Sequence, residues 1–332
     1  MNRQDQYVVV GLGRQSVDYD TTWLAQPEIA GIVRFARAAP QGRRFGSRAL
    51  GLGIDAVVGA AKARVLHPRS RYLALNPWTA AALRILGSRR VAVTGIYASE
   101  GTRSWKALRA ILGSSPIVAT VEVESTAWNR SGGLSTHVLY GTTFAYPRRR
   151  IDHARTTIFI GGSSDRDTVQ IDDMVDAVKA WSRPVRLIIC AGREKPLWEN
   201  GSGSSIEQHG YLSQQMFGEL LSHSDVAFLP LKRHDRAAGH MVAVGALQCG
   251  IPVVTSPSIG MTGYVDGRFV RETLTDLPLL EHLENVGLSM RSHNEEIAQY
   301  WRTHFSREVN VRNVLDAFQS LRSRISPMGA AR

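Results

Sequence analysis

Residues 224–267 read SDVAFLPLKRHDRAAGHMVAVGALQCGIPVVTSPSIGMTGYVDG. The pattern predicts an apolar strand, a polar loop, a helix over 240–249 that ends at Gly250, and a second buried strand. In such a βαβ unit the helix N-terminus lies at the carboxyl edge of the sheet, where backbone N–H groups and the helix dipole attract phosphate. We expect four residues to donate these N–H groups: Gly239, His240, Met241 and Val242.

Apolar β-branched runs alternate with helical patterns along the whole chain, which is typical of α/β proteins with parallel sheets. The predicted strands are Tyr7–Val10, Tyr72–Ala74, Val91–Thr94, Ile117–Val121, Thr157–Ile160, Val185–Cys190, Val226–Leu229 and Val253–Thr255. The clearest predicted helices are Ser104–Leu112, Val169–Trp181, Gln214–His223 and the stretch from His240 to Cys249.

The chain has 332 residues, enough for two domains that each bury a core. Residues 146–150, YPRRR, read as a solvated linker. We therefore expect domains at 1–150 and 151–325, each opening with a strand that runs into glycine. The last helices, from about 294 to 325, are expected to pack back on the linker.

Two further glycine-ended strands in the second half point to a phosphate site. The segment IFIGGSSDRD (158–167) brings Gly162, Ser163 and Arg166 to a helix N-terminus, which suits a diphosphate. Its aspartates can simply cap that helix. After the next strand, CAGREKP (190–196) places Arg193 at the same edge, where it contacts phosphate or remains a solvated loop residue.

The first half carries weaker signals. GLGRQS (11–16) resembles the start of a dinucleotide fingerprint, but Ser16 stands at the third glycine position, so Gly11 and Gly13 are better read as a turn that lets a substrate approach. Trp128 is either an acceptor platform or a core residue. The candidate carboxylates at strand ends are Asp18, Asp20, Glu100, Glu122 and Glu124, of which Glu100, beyond Gly95, is the preferred catalytic residue.

The charge is strongly positive: 40 Lys and Arg against 29 Asp and Glu give +11. Such a surface indicates an anionic partner, although an arginine bias also follows from codon composition. The alternatives are a phosphorylated substrate, an anionic membrane, for which arginines such as Arg34, Arg37 and Arg64 would serve, or nucleic acid. No RNA-binding aromatic motif or helix-turn-helix pattern is present, so we expect no nucleic acid partner.

Several classes of protein are excluded by what the sequence lacks. Cys190 and Cys249 sit in apolar settings and suggest neither disulfides nor a metal site. The first ten residues do not resemble a signal peptide, and the longest weakly polar run, 49–61, is shorter than the roughly 20 residues that span a bilayer. We expect a cytoplasmic protein without cofactor or bound metal.

The order AGH-x9-CGIPVVTS-x3-GMTGYVDG (238–267), preceded by VAFLPL, FIGGSSDRD and HGYLSQQMFGELLSHSDV, resembles the carboxyl half of GT-B glycosyltransferases. It is most similar to the group 1, or family 4-like, transferases of bacterial exopolysaccharides and glycolipids. The resemblance covers about 156–325 and implies two Rossmann-like, doubly wound domains facing a central cleft. The first domain would bind the acceptor and the second the nucleotide sugar.

The resemblance also assigns roles to residues. Gly162, Ser163, Arg166 and the helix start at 239–242 would hold the diphosphate, with Arg193 beside the base or phosphate. Tyr211 and Leu212 would border the nucleobase. Many members carry two glutamates eight positions apart, and those positions hold Ala237 and Gly245 here, so the glutamates' roles do not carry over.

The resemblance therefore implies a metal-independent transferase that moves a sugar from a nucleotide diphosphate donor to a saccharide or lipid-linked acceptor. The setting would be cell-surface polysaccharide or glycolipid synthesis, with peripheral attachment at the inner face of the cell membrane. A nucleotide-sugar epimerase of the same fold and a non-catalytic, degenerate transferase partner are the alternatives.

Overall fold

The computed structural model describes residues 6–12, 17–35, 48–150, 154–162, 165–192, 194–232, 238–274 and 276–325. The chain forms two compact units. Unit 1 comprises residues 1–139 and 310–332, and unit 2 comprises residues 140–309.

Unit 1 is built on a six-stranded, wholly parallel sheet in the order β2-β1-β3-β4-β5-β6. Its strands are β1 (Tyr7–Leu12), β2 (Ile29–Phe35), β3 (Arg71–Ala74), β4 (Val91–Thr94), β5 (Pro116–Ala119) and β6 (Leu134–His137). Its helices are α1 (Val17–Leu24), α2 (Arg48–Leu66), α3 (Pro77–Ile85), α4 (Arg103–Leu112) and α5 (Glu122–Arg130).

Both faces of this sheet are covered, as its alternating apolar residues require. Val8 and Val10 of β1 join the core under helices α2 to α5, whereas Tyr7 and Val9 join the core on the opposite face. That opposite core also contains Trp23 of α1 and the apolar face of the last helix of the chain.

Unit 2 has a seven-stranded sheet in the order β13-β12-β11-β7-β8-β10-β9, parallel except for β9. Its strands are β7 (Thr156–Gly161), β8 (Val185–Cys190), β9 (Lys195–Glu199), β10 (Ser205–Gln208), β11 (Val226–Leu229), β12 (Val253–Thr255) and β13 (Val270–Glu272). The remaining helices are α6 (Thr168–Ala180), α7 (Gln214–Ser222), α8 (His240–Cys249), α9 (Leu279–Ser289), α10 (Asn294–His304) and α11 (Arg307–Ile325), of which α11 is shared with unit 1 from Asn310 onward.

The predicted linker is only partly solvated, since Arg148 and Arg150 are exposed but Arg149 is buried. The predicted boundary at 150 is corrected to 139. The N–H groups of Arg149 and Arg150 donate to the carbonyls of Cys249 and Ser222, so these residues are part of unit 2. The Arg149 side chain is buried and donates to Asp225 at 2.5 Å. A run of three arginines looks solvated in sequence, but a buried carboxylate 76 positions away pairs with the middle one.

The last helices do not behave as one packing element. Helix α10 lies beside the linker, where Trp301 Nε1 donates to Thr142 Oγ1 at 2.5 Å. Helix α11 instead packs Val311, Leu315 and Phe318 into the core of unit 1. The expectation that 294–325 packs on the linker is thus corrected for α11. The apolar face of α11 instead covers one face of the sheet of unit 1.

Candidate functional site

The candidate site of unit 2 lies at the carboxyl edge of its sheet, where β7 and β11 are neighbours. The chain leaves β7 toward β8 on one side, and β11 and β12 extend the sheet on the other side. In open α/β sheets, ligands bind outside the carboxyl ends of the strands at such a switch point. The loop after β7 and the loop before α8 meet there, and Arg166 and Leu231 form an isolated antiparallel bridge between them.

Arg166 lies directly beside the end of β7. Its Nε donates to the carbonyl of Gly161 at 2.7 Å, and the side chain is buried. Gly162 has a φ of 88°, and a Cβ there would collide with the guanidinium and lie 3.3 Å from Val242 Cγ2. Glycine is therefore required at 162, and the geometry joins two segments that the sequence assigned to the diphosphate, the loop after β7 and the start of α8.

The charge of Arg166 is retained in spite of its burial. Burial lowers the pKa of the guanidinium to about 10, and the neighbouring Asp165 partly offsets this effect. The group is therefore protonated at neutral pH, in a setting where low dielectric strengthens its attraction for an anion.

Helix α8 adds the second positive element. Gly239 caps it in a left-handed conformation, with φ at 79° and no side-chain cap. Among the described residues, none accepts a hydrogen bond from the N–H groups of Gly239, His240 or Met241. The prediction for Val242 is wrong, because its N–H already donates to the Gly239 carbonyl at 3.0 Å. As far as the described residues show, three backbone donors and the positive end of the helix dipole are thus left for an anion.

The His240 side chain holds this helix start rather than supplying charge. Its ring lies 5.0 Å from the Tyr140 ring and 5.9 Å from the Tyr264 ring, measured between centroids. Burial and, second, the charge of Arg166 lower the pKa of His240 to about 4, so the ring is neutral at pH 7. The aromatic cage was not predicted, because its members are about 25 to 100 positions apart in sequence.

The predicted nucleobase loop follows β10, at the same edge of the sheet. Tyr211 is 98% exposed and Leu212 is half-buried. The backbone of Glu194 lies near Gly210, where a Cβ would be 3.6 Å from the Glu194 nitrogen, so the loops after β8 and β10 meet. Ser163 and Arg193, predicted for this site, lie outside the described residues, as does Ala237.

Gly245 is one of the two positions at which the resemblance led us to look for a glutamate, and the Tyr146 ring occupies the space beside it. A Cβ on Gly245 would collide with the Tyr146 ring, and so would one on Gly218 of α7. Tyr146 therefore packs across α7 and α8, and its hydroxyl accepts a hydrogen bond from Gln214. A larger residue at 245 would displace this ring.

Unit 1 shows a similar arrangement at the end of β1, with a different electrostatic outcome. A Cβ on Gly11 would collide with the Arg34 guanidinium, which forms a bidentate ion pair with Asp20 and lies over the Tyr19 ring at 5.7 Å. Asp20 and Arg34 thus neutralise each other, so neither acts as a catalytic base or as part of a basic surface. Gly13 lies outside the described residues.

The acceptor-side prediction for Trp128 is wrong. The Trp128 ring is completely buried, packs edge-on against Trp105 at 5.1 Å and lies under the Arg109 guanidinium. Gly133 is needed beneath it, because a Cβ there would collide with the ring. The tryptophan is a core residue and offers no surface to a sugar.

The carboxylates of unit 1 differ in exposure. Glu100 follows β4 and is exposed, 3.6 Å from Arg130. Glu122 and Glu124, predicted at the end of a strand, instead form the first turn of α5, and Glu124 is buried. Tyr97, at a φ of 53° in the loop after β4, was missed; burial and then the charge of Glu124 raise the pKa of its hydroxyl.

Among the described residues, no group of three or more His, Cys, Asp or Glu side chains could hold a metal ion. No described helix is long and apolar enough to cross a membrane.

Residues 154–276 match the sequence profile of the family described as Glycosyl transferases group 1. This part of the chain is similar to the group 1 glycosyltransferases. This match confirms the predicted class of enzyme, and it falls on the unit that contains Arg166 and the start of α8. No curated protein matches the chain significantly.

Solved structures agree with this match and extend the likeness to both units. Sucrose-phosphate synthase from Thermosynechococcus elongatus aligns with a TM-score of 0.69 and 12% identity over 96% of this chain and 100% of that chain. Anabaena HepE in complex with UDP-glucose gives 0.60 and 11% over 94% and 99%. WaaG, a glycosyltransferase of lipopolysaccharide biosynthesis, gives 0.58 and 12% over 93% and 99%. These likenesses confirm the predicted GT-B fold.

Proposed function

We propose that this protein transfers a sugar from a nucleotide diphosphate sugar to a saccharide or lipid-linked acceptor. The observation that carries the proposal is the buried, protonated Arg166 beside the start of α8, at the switch point of unit 2. Breaking the bond between the sugar and the diphosphate builds negative charge on the leaving phosphate. A fixed guanidinium and three backbone N–H donors stabilise that charge without rearrangement.

We propose uridine diphosphate as the nucleotide, because HepE was solved with UDP-glucose. Tyr211, Leu212 and Arg193 would then border the nucleobase and its phosphates, and Gly162 and Ser163 would lie under the diphosphate. Because the protein itself supplies the positive charge, the reaction needs no divalent ion, and transfer should persist in excess EDTA.

The acceptor is proposed to be part of a cell-surface polysaccharide or glycolipid, reached at an anionic membrane. Helix α2 supports this setting, because Val57, Val65 and Leu66 are large apolar side chains with exposures of 52%, 80% and 56%. Exposed apolar side chains on one helix, with basic residues such as Arg69 nearby in sequence, suit an interfacial surface. The linker arginines Arg148 to Arg150 do not contribute, since all three pair with acidic residues of unit 2.

The direct test is a thermal-shift panel of nucleoside diphosphates and nucleotide sugars. A ligand present at 100 times its Kd stabilises the folded protein by roughly 2.7 kcal/mol, so UDP and at least one UDP-sugar should raise Tm clearly. Product analysis by NMR then separates the reaction classes: a transferase releases UDP when an acceptor is added, whereas an epimerase interconverts the donor without releasing UDP. If no nucleoside diphosphate or nucleotide sugar raises Tm, the result would contradict the proposal that the protein uses a nucleotide sugar donor.

Glu100 is the proposed acceptor-side base, because it is an accessible carboxylate at the carboxyl edge of unit 1. Glu100→Gln should lower kcat by at least about a hundredfold while leaving UDP affinity unchanged. Glu124→Gln is the matched control from the same edge, since Glu124 is buried. If Glu124→Gln loses transfer and Glu100→Gln does not, the base is Glu124.

A further inference from the structure

A second basic site lies in unit 1, at the opposite edge of its sheet from the strand-end glycine Gly11. A cavity of about 310 Å³ opens there, and its lining includes the first residue of each of four strands: Tyr7, Arg71, Val91 and Pro116. Because all these strands are parallel, the cavity lies at their amino ends. It therefore does not belong to the carboxyl-edge positions described above.

The charged residues described in the lining of this cavity are all positive. Among the described residues, five arginines and no acidic residue contribute to it: Arg71, Arg84, Arg89, Arg90 and Arg322. The whole chain has 29 acidic residues against 40 basic ones, so the average surface mixes both signs. Guanidinium groups that face one small space repel each other, and an anion placed among them relieves that repulsion.

Main-chain contacts hold Arg84 and leave its charge in place. Arg84 Nη1 donates to the carbonyls of Ser88 and Arg89, at 3.4 and 3.2 Å, and a neutral carbonyl does not cancel the guanidinium charge. Arg89 and Arg90 are exposed on the short turn between α3 and β4. Ser114 and Ser115, in the loop before β5, also line the cavity.

The size and charge of the cavity indicate its ligand. Its volume falls at the lower end of small-molecule pockets, larger than a single phosphate ion needs. Planar guanidinium groups bind phosphate oxygens in pairs, and several of them suit a ligand with two or more phosphate charges. We propose that this cavity is a second anion site, separate from the donor site, that binds a diphosphate or another phosphorylated group.

Hydrogen–deuterium exchange of the protein with inorganic pyrophosphate tests the proposal, because it reports where the anion binds. Pyrophosphate should slow exchange in the segments around 84–92 and 113–117, also when UDP is present in excess. In the double variant Arg89→Gln/Arg90→Gln, the pyrophosphate concentration that gives half of this protection should rise at least tenfold. The control double variant Arg103→Gln/Lys106→Gln also removes two positive charges, from the exposed start of α4. It should leave the protection by pyrophosphate unchanged.

Vesicles distinguish the two sources of such a group. If the phosphate belongs to a lipid headgroup, the control variant should sediment with phosphatidylglycerol vesicles more than the Arg89/Arg90 variant, and pyrophosphate should reduce the difference. If it belongs to a soluble molecule, both variants sediment equally and only the exchange protection differs. Equal protection in both double variants, or none at these segments with pyrophosphate, would overturn the proposal.

Discussion

The first strands of the two units, β1 and β7, end with the same local packing but in different electrostatic surroundings. In each unit an arginine guanidinium occupies the space where a Cβ of a strand-end glycine would lie: Arg34 at Gly11 and Arg166 at Gly162. Arg34 is bound by Asp20 in a bidentate ion pair. Arg166 donates to a main-chain carbonyl and lies close enough to α8 to lower the pKa of His240.

A strand that ends in glycine therefore does not by itself mark a phosphate site. The local packing is shared, but in unit 1 Asp20 holds the guanidinium in a bidentate ion pair, whereas in unit 2 the guanidinium lies beside the positive end of a helix dipole. The electrostatic surroundings, set by residues distant in sequence, decide which of the two strand ends can bind an anion.

The largest expected effect separates the two glycines. Gly162→Ala should destabilise the protein by about 2–4 kcal/mol, because its φ of 88° disfavours any side chain and the Cβ displaces the buried Arg166. Gly11→Ala needs only a shift of the half-buried Arg34 and should cost about 1 kcal/mol. Urea unfolding of both variants measures the difference, and equal losses would contradict the contrast in backbone conformation.

The two arginines should separate binding from stability. Arg166→Gln should weaken UDP binding by about ten- to a hundredfold, the usual value of a charge-assisted hydrogen bond, as measured by calorimetry. Arg34→Gln should leave UDP affinity unchanged and reduce stability by about 1 kcal/mol. Arg302→Gln, on the exposed face of α10, controls for the loss of one positive charge in unit 2. Unchanged affinity in Arg166→Gln would show that the diphosphate site is elsewhere.

The sequence predicted most of the central strands, because a strand between two neighbours in a covered parallel sheet is a continuous apolar run. Four of the five missed strands, β2, β6, β9 and β13, are at sheet edges, where such a run is not needed. The prediction of site residues was limited in the same way, because only local patterns could be used. Gly162, Arg166 and Gly239 were predicted from patterns at the end of a strand and the start of a helix. Arg149 with Asp225, and the rings around His240, depend on contacts that no local pattern records.

The neutral His240 should make stability depend on acid. Its pKa is about 4 in the folded protein, below the ordinary value near 6.5, so the unfolded chain binds more protons between these values. Stability should therefore fall as the pH drops, by about 2 kcal/mol between pH 7 and pH 5. His240→Asn should flatten this slope in urea titrations. An equal slope in the variant would mean that other groups cause the acid sensitivity.

The smallest expected effect concerns one tyrosine from each unit, Tyr211 and Tyr97. Tyr211 is 98% exposed in the predicted nucleobase loop, so Tyr211→Ala should leave Tm unchanged. Stacking of a base on an aromatic ring contributes about 1–3 kcal/mol, and an open loop should yield the lower value, a roughly fivefold weaker affinity for UDP. Tyr97→Ala in unit 1 should leave that affinity unchanged, because the proposed nucleotide site belongs to unit 2. Because a ring as exposed as Tyr211 makes little contact in the folded chain, any loss of affinity in its variant reports on the ligand alone, and equal losses in both variants would contradict the assignment of nucleotide binding to unit 2.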